Sequence, residues 1–396
     1  MLHSDKHGAL LVGSGISIPA GYPSVQALTS IVLAGNGAYR DTDECYYINP
    51  DRRETCKYVS EATAILKRLK QTIDPSLQQY QYSGRAANYE DLVYVARQLG
   101  DFALGEIENP VVGPFLQQVF GAGGPWQATH GHDDSLGSYM RQTENYVRDI
   151  VWRCLQKEAE RTEHLEVFLA ALQDKSVRAL AIGTLNHDTH FENYLAHAGV
   201  QVWDGFGQNE NEVRYWSRTD IALDDKRVPF IKLHGSIDWF EFRPESGTAY
   251  YDDRVGVALT NDIQHTRTTD GQLQLPLPGR PLMLVGTFNK YIDYATELFS
   301  TVHARWRARL DVSDRLVICG YGFGDRGINA QIIEWVYGSR DRKLLIMNPG
   351  IEDLKNRCRG AIRNKWDGWV EDGILETIDS PVQDADSASV SRFLSS

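Results

Sequence analysis

Five short apolar runs in this chain each stop at a turn of glycine or polar residues. They are Ala9 to Val12 before Gly13, Arg178 to Gly183 before Thr184, Val228 to Leu233 before His234, Leu316 to Cys319 before Gly320, and Leu344 to Met347 before Asn348. A sixth run, Leu282 to Val285, ends at Gly286. Runs this short, rich in Leu, Ile and Val and separated by helical or loop material, are the pattern of strands buried on both faces. Strands alternating with helices build a mainly parallel sheet, whose carboxyl ends and following turns share one edge. The expected fold is therefore α/β, a Rossmann-like mainly parallel sheet, with that edge as the place for a ligand.

The first unit carries its own start signals. After Gly21-Tyr22-Pro23, Ser24 is placed to cap a helix through Val25, Leu28, Ile31 and Val32. Beyond it the spacing turns helical: Ile65, Leu66, Leu69 and Ile73; Leu92, Val95, Ala96 and Leu99; Val147, Val151 and Leu155; then Leu165, Leu169 and Leu172. Gly121 to Pro125 marks a loop within this stretch. The expectation is a large, mostly helical insertion over 35–175, interrupting a nucleotide-binding domain formed by 1–34 and 176–378. Residues 243–280 are polar enough to be a surface excursion, and 379–396 read as a polar, mobile tail.

With 396 residues, 42% hydrophobic and 24% charged, the chain has the composition of a soluble globular protein. A net charge of −12 argues against direct binding to a nucleic-acid backbone through the surface as a whole. No stretch nears the roughly 18 consecutive apolar residues of a membrane helix, and the start has no basic segment followed by an apolar core, so a cytoplasmic location without membrane contact is expected. The cysteines at 45, 56, 154, 319 and 358 form no Cys-x-x-Cys pair, which predicts neither a disulfide framework nor a cysteine-held zinc.

Each turn has a chemical reading and a bland one. Gly13-Ser14-Gly15-Ile16-Ser17 lets backbone approach a diphosphate, or simply joins strand to helix. In Thr184-Leu185-Asn186-His187-Asp188, one polar residue is accounted for by capping the helix that follows, leaving the others for the crevice. His234, in Lys232-Leu233-His234-Gly235-Ser236, is a general base or a hydrogen-bonded structural imidazole. Gly320-Tyr321-Gly322-Phe323-Gly324-Asp325 offers a second glycine loop, and Asn348 a ribose contact or a turn. His130, His132, Asp133 and Asp134 are of metal-ligand type but lack the spacing of a metal site.

In this order, GSGIS, TLNHD, KLHGS, GYGFGD and MNP resemble the NAD-binding motifs of the sirtuin superfamily over residues 8–34 and 178–350. The resemblance implies a sirtuin-like fold that takes NAD as its substrate. It gives Gly13, Ser14, Gly15 and Ser17 to the phosphates and ribose. Asn186 would hold the nicotinamide ribose or an attacking water, Asp188 the carboxamide, and His234 would be the base, so these three form the catalytic set. Gly320, Gly322 and Asn348 would meet the adenosine half, with Asp325 as a further cofactor-binding candidate. The sequence departs from the sirtuin deacylases in lacking cysteines between His234 and Cys319, where two zinc-binding Cys-x-x-Cys pairs would stand. Their Phe-Gly-Glu peptide grip has only Val285-Gly286-Thr287-Phe288-Asn289 as a counterpart. The pattern is similar to the zinc-free sirtuin-like NADases of bacterial antiviral systems. That implies an NAD glycohydrolase without metal, the effector of an antiphage abortive-infection system. It further implies a homo-oligomer gated by a second defence protein such as a HerA-like ATPase or another sensor. An NAD-dependent deacylase and a non-catalytic NAD-sensing module are the alternatives.

Overall fold

The computed structural model describes residues 7–52, 56–80, 85–106, 109–120, 135–177, 179–219, 225–248, 251–260, 262–287, 290 and 294–396. The predicted loop Gly121–Pro125, the group His130–Asp134, and residues Arg178, Phe288 and Asn289 lie outside them. In chain order the strands are β1 (His7–Val12), β2 (Ala38–Arg40), β3 (Tyr46–Ile48), β4 (Ala179–Thr184), β5 (Val202–Trp203), β6 (Phe206–Glu210) and β7 (Val213–Trp216). They continue as β8 (Val228–Lys232), β9 (Trp239–Pro244), β10 (Arg254–Ala258), β11 (Gln274–Leu277), β12 (Ser313–Cys319), β13 (Lys343–Met347) and β14 (Leu375–Ile378).

Seven strands form one sheet in the order β14-β13-β12-β1-β4-β8-β5, and every pairing in it is parallel. The pleat sorts each strand onto two faces. Ala9, Leu11, Ile231, Leu316, Ile318 and Ile346 pack on one side with Trp306 and Trp335, from the helices Glu297–Asp311 and Arg326–Gly338. Leu10, Val12, Ile182, Phe230, Val317 and Leu345 pack on the other with Phe168, Phe191 and Phe393. A sheet covered on both faces is the Rossmann-like α/β architecture read from the sequence.

The chain divides into two units: residues 1–22, 158–284 and 291–396 hold the parallel sheet, and 23–157 with 285–290 form the other. This moves both edges of the expected 35–175 insertion. The helix Val25–Ala34, capped by Ser24 as predicted, belongs to the helical unit. There Tyr146 Oη donates to Val32 O at 2.8 Å and Tyr89 N to Thr29 Oγ1 at 3.1 Å. At the other boundary, Leu165, Phe168 and Ala171 are part of the core beneath the sheet. Amphipathic spacing shows that a helix buries a face, not which partner covers it. Within the helical unit, Tyr89–Ala103 starts on a capping box of Asn88 and Asp91, and Lys290 pairs with Glu90 at 2.6 Å.

Three expectations need correction. The region 243–280 is not a surface excursion: with the residues before it, it builds an antiparallel sheet in the order β11-β9-β10-β7-β6. Val213, Tyr215, Phe240 and Phe242 share one buried face, while Arg214, Glu241, Arg243 and Leu275 on the other are partly or fully exposed, and this alternation dilutes the apolar signal. Leu282 to Val285 is not a strand. It is buried irregular chain joined to the His234 turn by Leu284 N to His234 O at 2.9 Å and a single bridge between Met283 and Gly235. The last residues are not a loose tail. Asp386 caps the helix Ser387–Ser395, and Val390, Phe393 and Leu394, spaced i, i+3 and i+4, are buried in the core.

Candidate active site

The register aligns the five turns. Val12 pairs with both Cys319 and Thr184, Thr184 with Lys232, and Cys319 with Met347. The five strands thus end in one row, and Gly13, Leu185, Leu233, Gly320 and Asn348 are the next residues of each. The strand order reverses between β1 and β12, since the chain moves to β4 and β8 on one side of β1 and later to β12 and β13 on the other. Ligands of open α/β sheets sit in the crevice outside such a switch point.

At that switch point the glycines have a more specific role than anion binding. Gly13 N donates to Cys319 O and Gly15 N to Gly320 O, both at 2.9 Å. The two amides expected to face a diphosphate are therefore engaged in joining the turns. A Cβ at Gly13 would stand 2.6 Å from Gly320 O, and one at Gly15 2.6 Å from Gly320 Cα. Gly320 itself has φ +66°, in the region where side chains are strained. Gly322 and Gly324 are different: a Cβ there would meet nothing within 4 Å, and both are exposed, as is Ser14. Open backbone on this edge thus lies at Gly322 and Gly324. Between them Phe323 adopts φ +52° with its ring fully buried, a conformation that bulky residues rarely hold. Asn348 is half-buried at the end of β13, its amide donating to Ile378 O.

On the β4 side, three of the predicted residues meet in one buried network. Ser17 Oγ donates to Asp188 Oδ2 at 3.0 Å and accepts from Asn186 Nδ2 at 3.1 Å. Thr184 Oγ1 accepts the Asn186 backbone amide, and Asp188 Oδ1 accepts that of His190, the first residue of the helix His190–His197, whose N-cap is Thr189. Asn186 Oδ1 has no hydrogen-bond partner among the described residues although Asn186 is only 6% exposed. A buried amide oxygen left without a donor costs free energy unless a ligand or water supplies one.

Side chains the sequence did not single out hold this network from below. Lys232 Nζ, buried, donates to Asp188 O at 2.6 Å and pairs with Glu192 at 2.5 Å. Burial pushes the Glu192 carboxyl up to about 7 against the pull of Lys232, with Asp238 adding to the rise. Burial, with Asp188 and Glu192 nearby, likewise takes the Tyr22 phenol to about 12. His187 O accepts from Ile237 N at 3.0 Å, joining the β4 turn to the β8 turn.

His234 follows β8, 4% exposed, its ring 6.2 Å from that of His187. Its Nε2 lies 2.9 Å from Tyr294 Oη and 3.2 Å from Asp325 Oδ2, and Tyr294 Oη donates to the same Oδ2 at 2.8 Å. Asp325, a cofactor-binding candidate in the sequence, stands against the expected base, three places along the sheet from its own strand β12. Its Oδ1 caps the helix Arg326–Gly338 by accepting from Gly327 and Ile328. Tyr294 lies in the turn ahead of the helix Glu297–Asp311 and had no sequence signal. Beneath it lies His303, whose ring centroid is 3.9 Å away and whose basicity burial lowers to about 3, with His234 adding to the fall. No group of three His, Cys, Asp or Glu side chains fit to hold a metal forms among the described residues. No helix among them is long and apolar enough to cross a membrane.

No protein-family model matches the chain, and no curated protein sequence does. Solved structures similar to it include a Sir2 homologue–NAD complex, at 11% identity and TM-score 0.39, covering 98% of this chain and 89% of that one. A mutant Sir2 homologue–ADP-ribose complex gives 12% and 0.38, covering 98% and 92%. Sir2 bound to acetylated peptide gives 11% and 0.35, covering 98% and 91%. Likenesses at this level leave the chemistry of the site to be read from its own residues.

Proposed function

We propose that this chain binds NAD along the carboxyl edge of its parallel sheet and hydrolyses the nicotinamide–ribose bond, releasing nicotinamide and ADP-ribose. The observation that carries this reading is Asn186 Oδ1, a buried acceptor without a partner among the described residues, in a network fixed by Ser17 and Asp188. Such an atom fits a ribose hydroxyl or the attacking water as donor. Open backbone at Gly322 and Gly324 fits the close approach of a dinucleotide.

Nicotinamide leaves NAD as a neutral molecule, so no acid is needed at the leaving group. The protein's task is to orient water at the ribose carbon and remove its proton. Asn186 orients that water or the ribose, and His234 accepts the proton directly or through a ribose hydroxyl. Asp188, locked by Ser17 and the His190 amide, faces the nicotinamide carboxamide. Ser14 and the Gly320–Gly324 loop take the phosphates and adenosine, with Asn348 on the adenosine ribose.

A free-running NAD hydrolase would exhaust its own cell, so this reading includes gating by assembly. The helical unit, which a nucleotide-binding sheet does not need, is the proposed surface for further copies of the chain and for a second protein, a HerA-like ATPase or another sensor of an antiviral system. The test is to incubate the purified full chain with NAD, alone and with co-purifying proteins, and to quantify products. Equal amounts of nicotinamide and ADP-ribose are expected. Release only when an acylated peptide is added would make it a deacylase, and bound but uncleaved NAD in every assembly would make it a sensing module.

A further inference from the structure

The hydrogen bonds around His234 have a direction. Tyr294 has one hydroxyl proton and gives it to Asp325 Oδ2, at 2.8 Å. The phenol oxygen then faces His234 Nε2 at 2.9 Å with its lone pairs, and Asp325 Oδ2 faces the same nitrogen at 3.2 Å. Two acceptors converge on Nε2. A lone pair on that nitrogen would leave three electron-rich atoms close together with a single proton among them, whereas an N–H there donates to Tyr294 Oη and places its positive end near the Asp325 carboxylate.

The arrangement is packed on two sides. Tyr294 is wedged between the first turn of the helix Arg326–Gly338 and the His303 ring: a Cβ on Gly327 would come within 2.7 Å of Tyr294 Cε2. His303 in turn accepts at Nδ1 from Gln331 Nε2 at 3.0 Å, which fixes it as a neutral ring. Asp325 is anchored at its other oxygen by the amides of Gly327 and Ile328.

We infer that Tyr294 and Asp325 are positioning residues for His234, holding its neutral imidazole in the tautomer protonated at Nε2, so that Nδ1 is the nitrogen that takes up a proton. The role given to that proton rests on the hydrolase reading above; the tautomer does not. As the proton arrives at Nδ1, the Asp325 carboxylate faces the imidazolium that forms and stabilises its charge.

The test separates the two. The full chain is labelled with 15N-histidine, and the His234 signals are assigned by their loss in His234→Gln. Spectra are taken above the titration range of histidine. Wild-type protein should show His234 protonated at Nε2 and bare at Nδ1. Tyr294→Phe keeps the ring, and Asp325→Asn keeps a side chain able to cap the helix, so both should fold. Both should shift the His234 tautomer balance and lower kcat by about tenfold or more, with KM for NAD changing much less. A wild-type His234 protonated at Nδ1, or a balance unmoved in both variants, overturns the inference. Wild-type protein that shows the Nε2 tautomer but releases no nicotinamide upholds the inference while sinking the hydrolase reading.

Discussion

Ser17 and Asp188 stand 171 positions apart in the chain, yet the serine hydroxyl donates to the aspartate carboxylate at 3.0 Å inside the protein. The bond ties the turn after β1 to the turn after β4, and Asn186 completes it by donating to the same hydroxyl. Ser17→Ala removes one donor and one acceptor at once and leaves two buried partners short. The expected cost is about 1–3 kcal/mol, the range for unsatisfied buried polar groups. Thermal melts should show a fall of a few degrees, and NAD turnover should drop further than the loss of folded protein explains. Melting and turnover both equal to wild type would mean that the bond holds nothing in place.

The two kinds of glycine on the sheet edge should behave oppositely. Gly320→Ala places a Cβ 2.7 Å from Ile16 N on a backbone with φ +66°. The left-handed conformation alone costs roughly 1–2 kcal/mol for a side chain, and the backbone clash adds to it. Gly322→Ala meets open space and should keep its stability within about 0.5 kcal/mol. If the open backbone receives the dinucleotide, Gly322→Ala should weaken NAD binding in calorimetry while melting like wild type. Equal affinity in a stable Gly322→Ala would remove that loop from the binding site.

The parallel sheet was legible because each of its strands ends where its apolar run ends, and because parallel pairing forces the following turns onto one edge. Ser17, Asn186, Asp188 and His234 could be named from that rule and from motif order. Tyr294 could not, since its role depends on a fold that carries it to a strand end 60 positions earlier. Lys232 was hidden as an ordinary strand terminus, and its buried ammonium shows only against Glu192 and the Asp188 carbonyl. The antiparallel sheet escaped because its buried apolar residues are interleaved with polar ones such as Asn209, Arg214, Glu241 and Arg243. The final helix escaped because Val390, Phe393 and Leu394 are sparse among serines and aspartates.

Glu192 gives a prediction with a definite sign. Burial raises its carboxyl to about 7 from the ordinary value of 4.5, so the folded chain holds this proton more tightly than the unfolded chain. The stability linked to it is present in full below about pH 4.5 and is lost as pH rises through about 7. Glu192→Gln keeps an oxygen for Lys232 and removes the titration. Melting temperatures across this window should show the variant gaining on wild type as pH rises, with a constant difference below it. A constant difference throughout would show that Glu192 ionises as an ordinary carboxylate.

Asn186 and His234 carry the enzymatic reading, and their packing makes a clean test possible. Asn186 Oδ1 bonds to no described residue, so Asn186→Ala loses only the Nδ2 contact to Ser17 and should stay folded. His234 lies beyond the end of β8, and without it Tyr294 and Asp325 keep the hydrogen bond they already share. His234→Ala should therefore melt close to wild type while losing on the order of 10²-fold or more in rate, the scale of a positioned base. Asn186→Ala should lower kcat with much of the NAD affinity retained, because the phosphates and adenosine are held elsewhere. If both residues are only structural, the pattern inverts: melting temperatures fall and activity per folded molecule is unchanged. Melts, calorimetric NAD binding and nicotinamide release on the two variants decide between these. A well-folded His234→Ala that hydrolyses NAD at the wild-type rate would refute the mechanism.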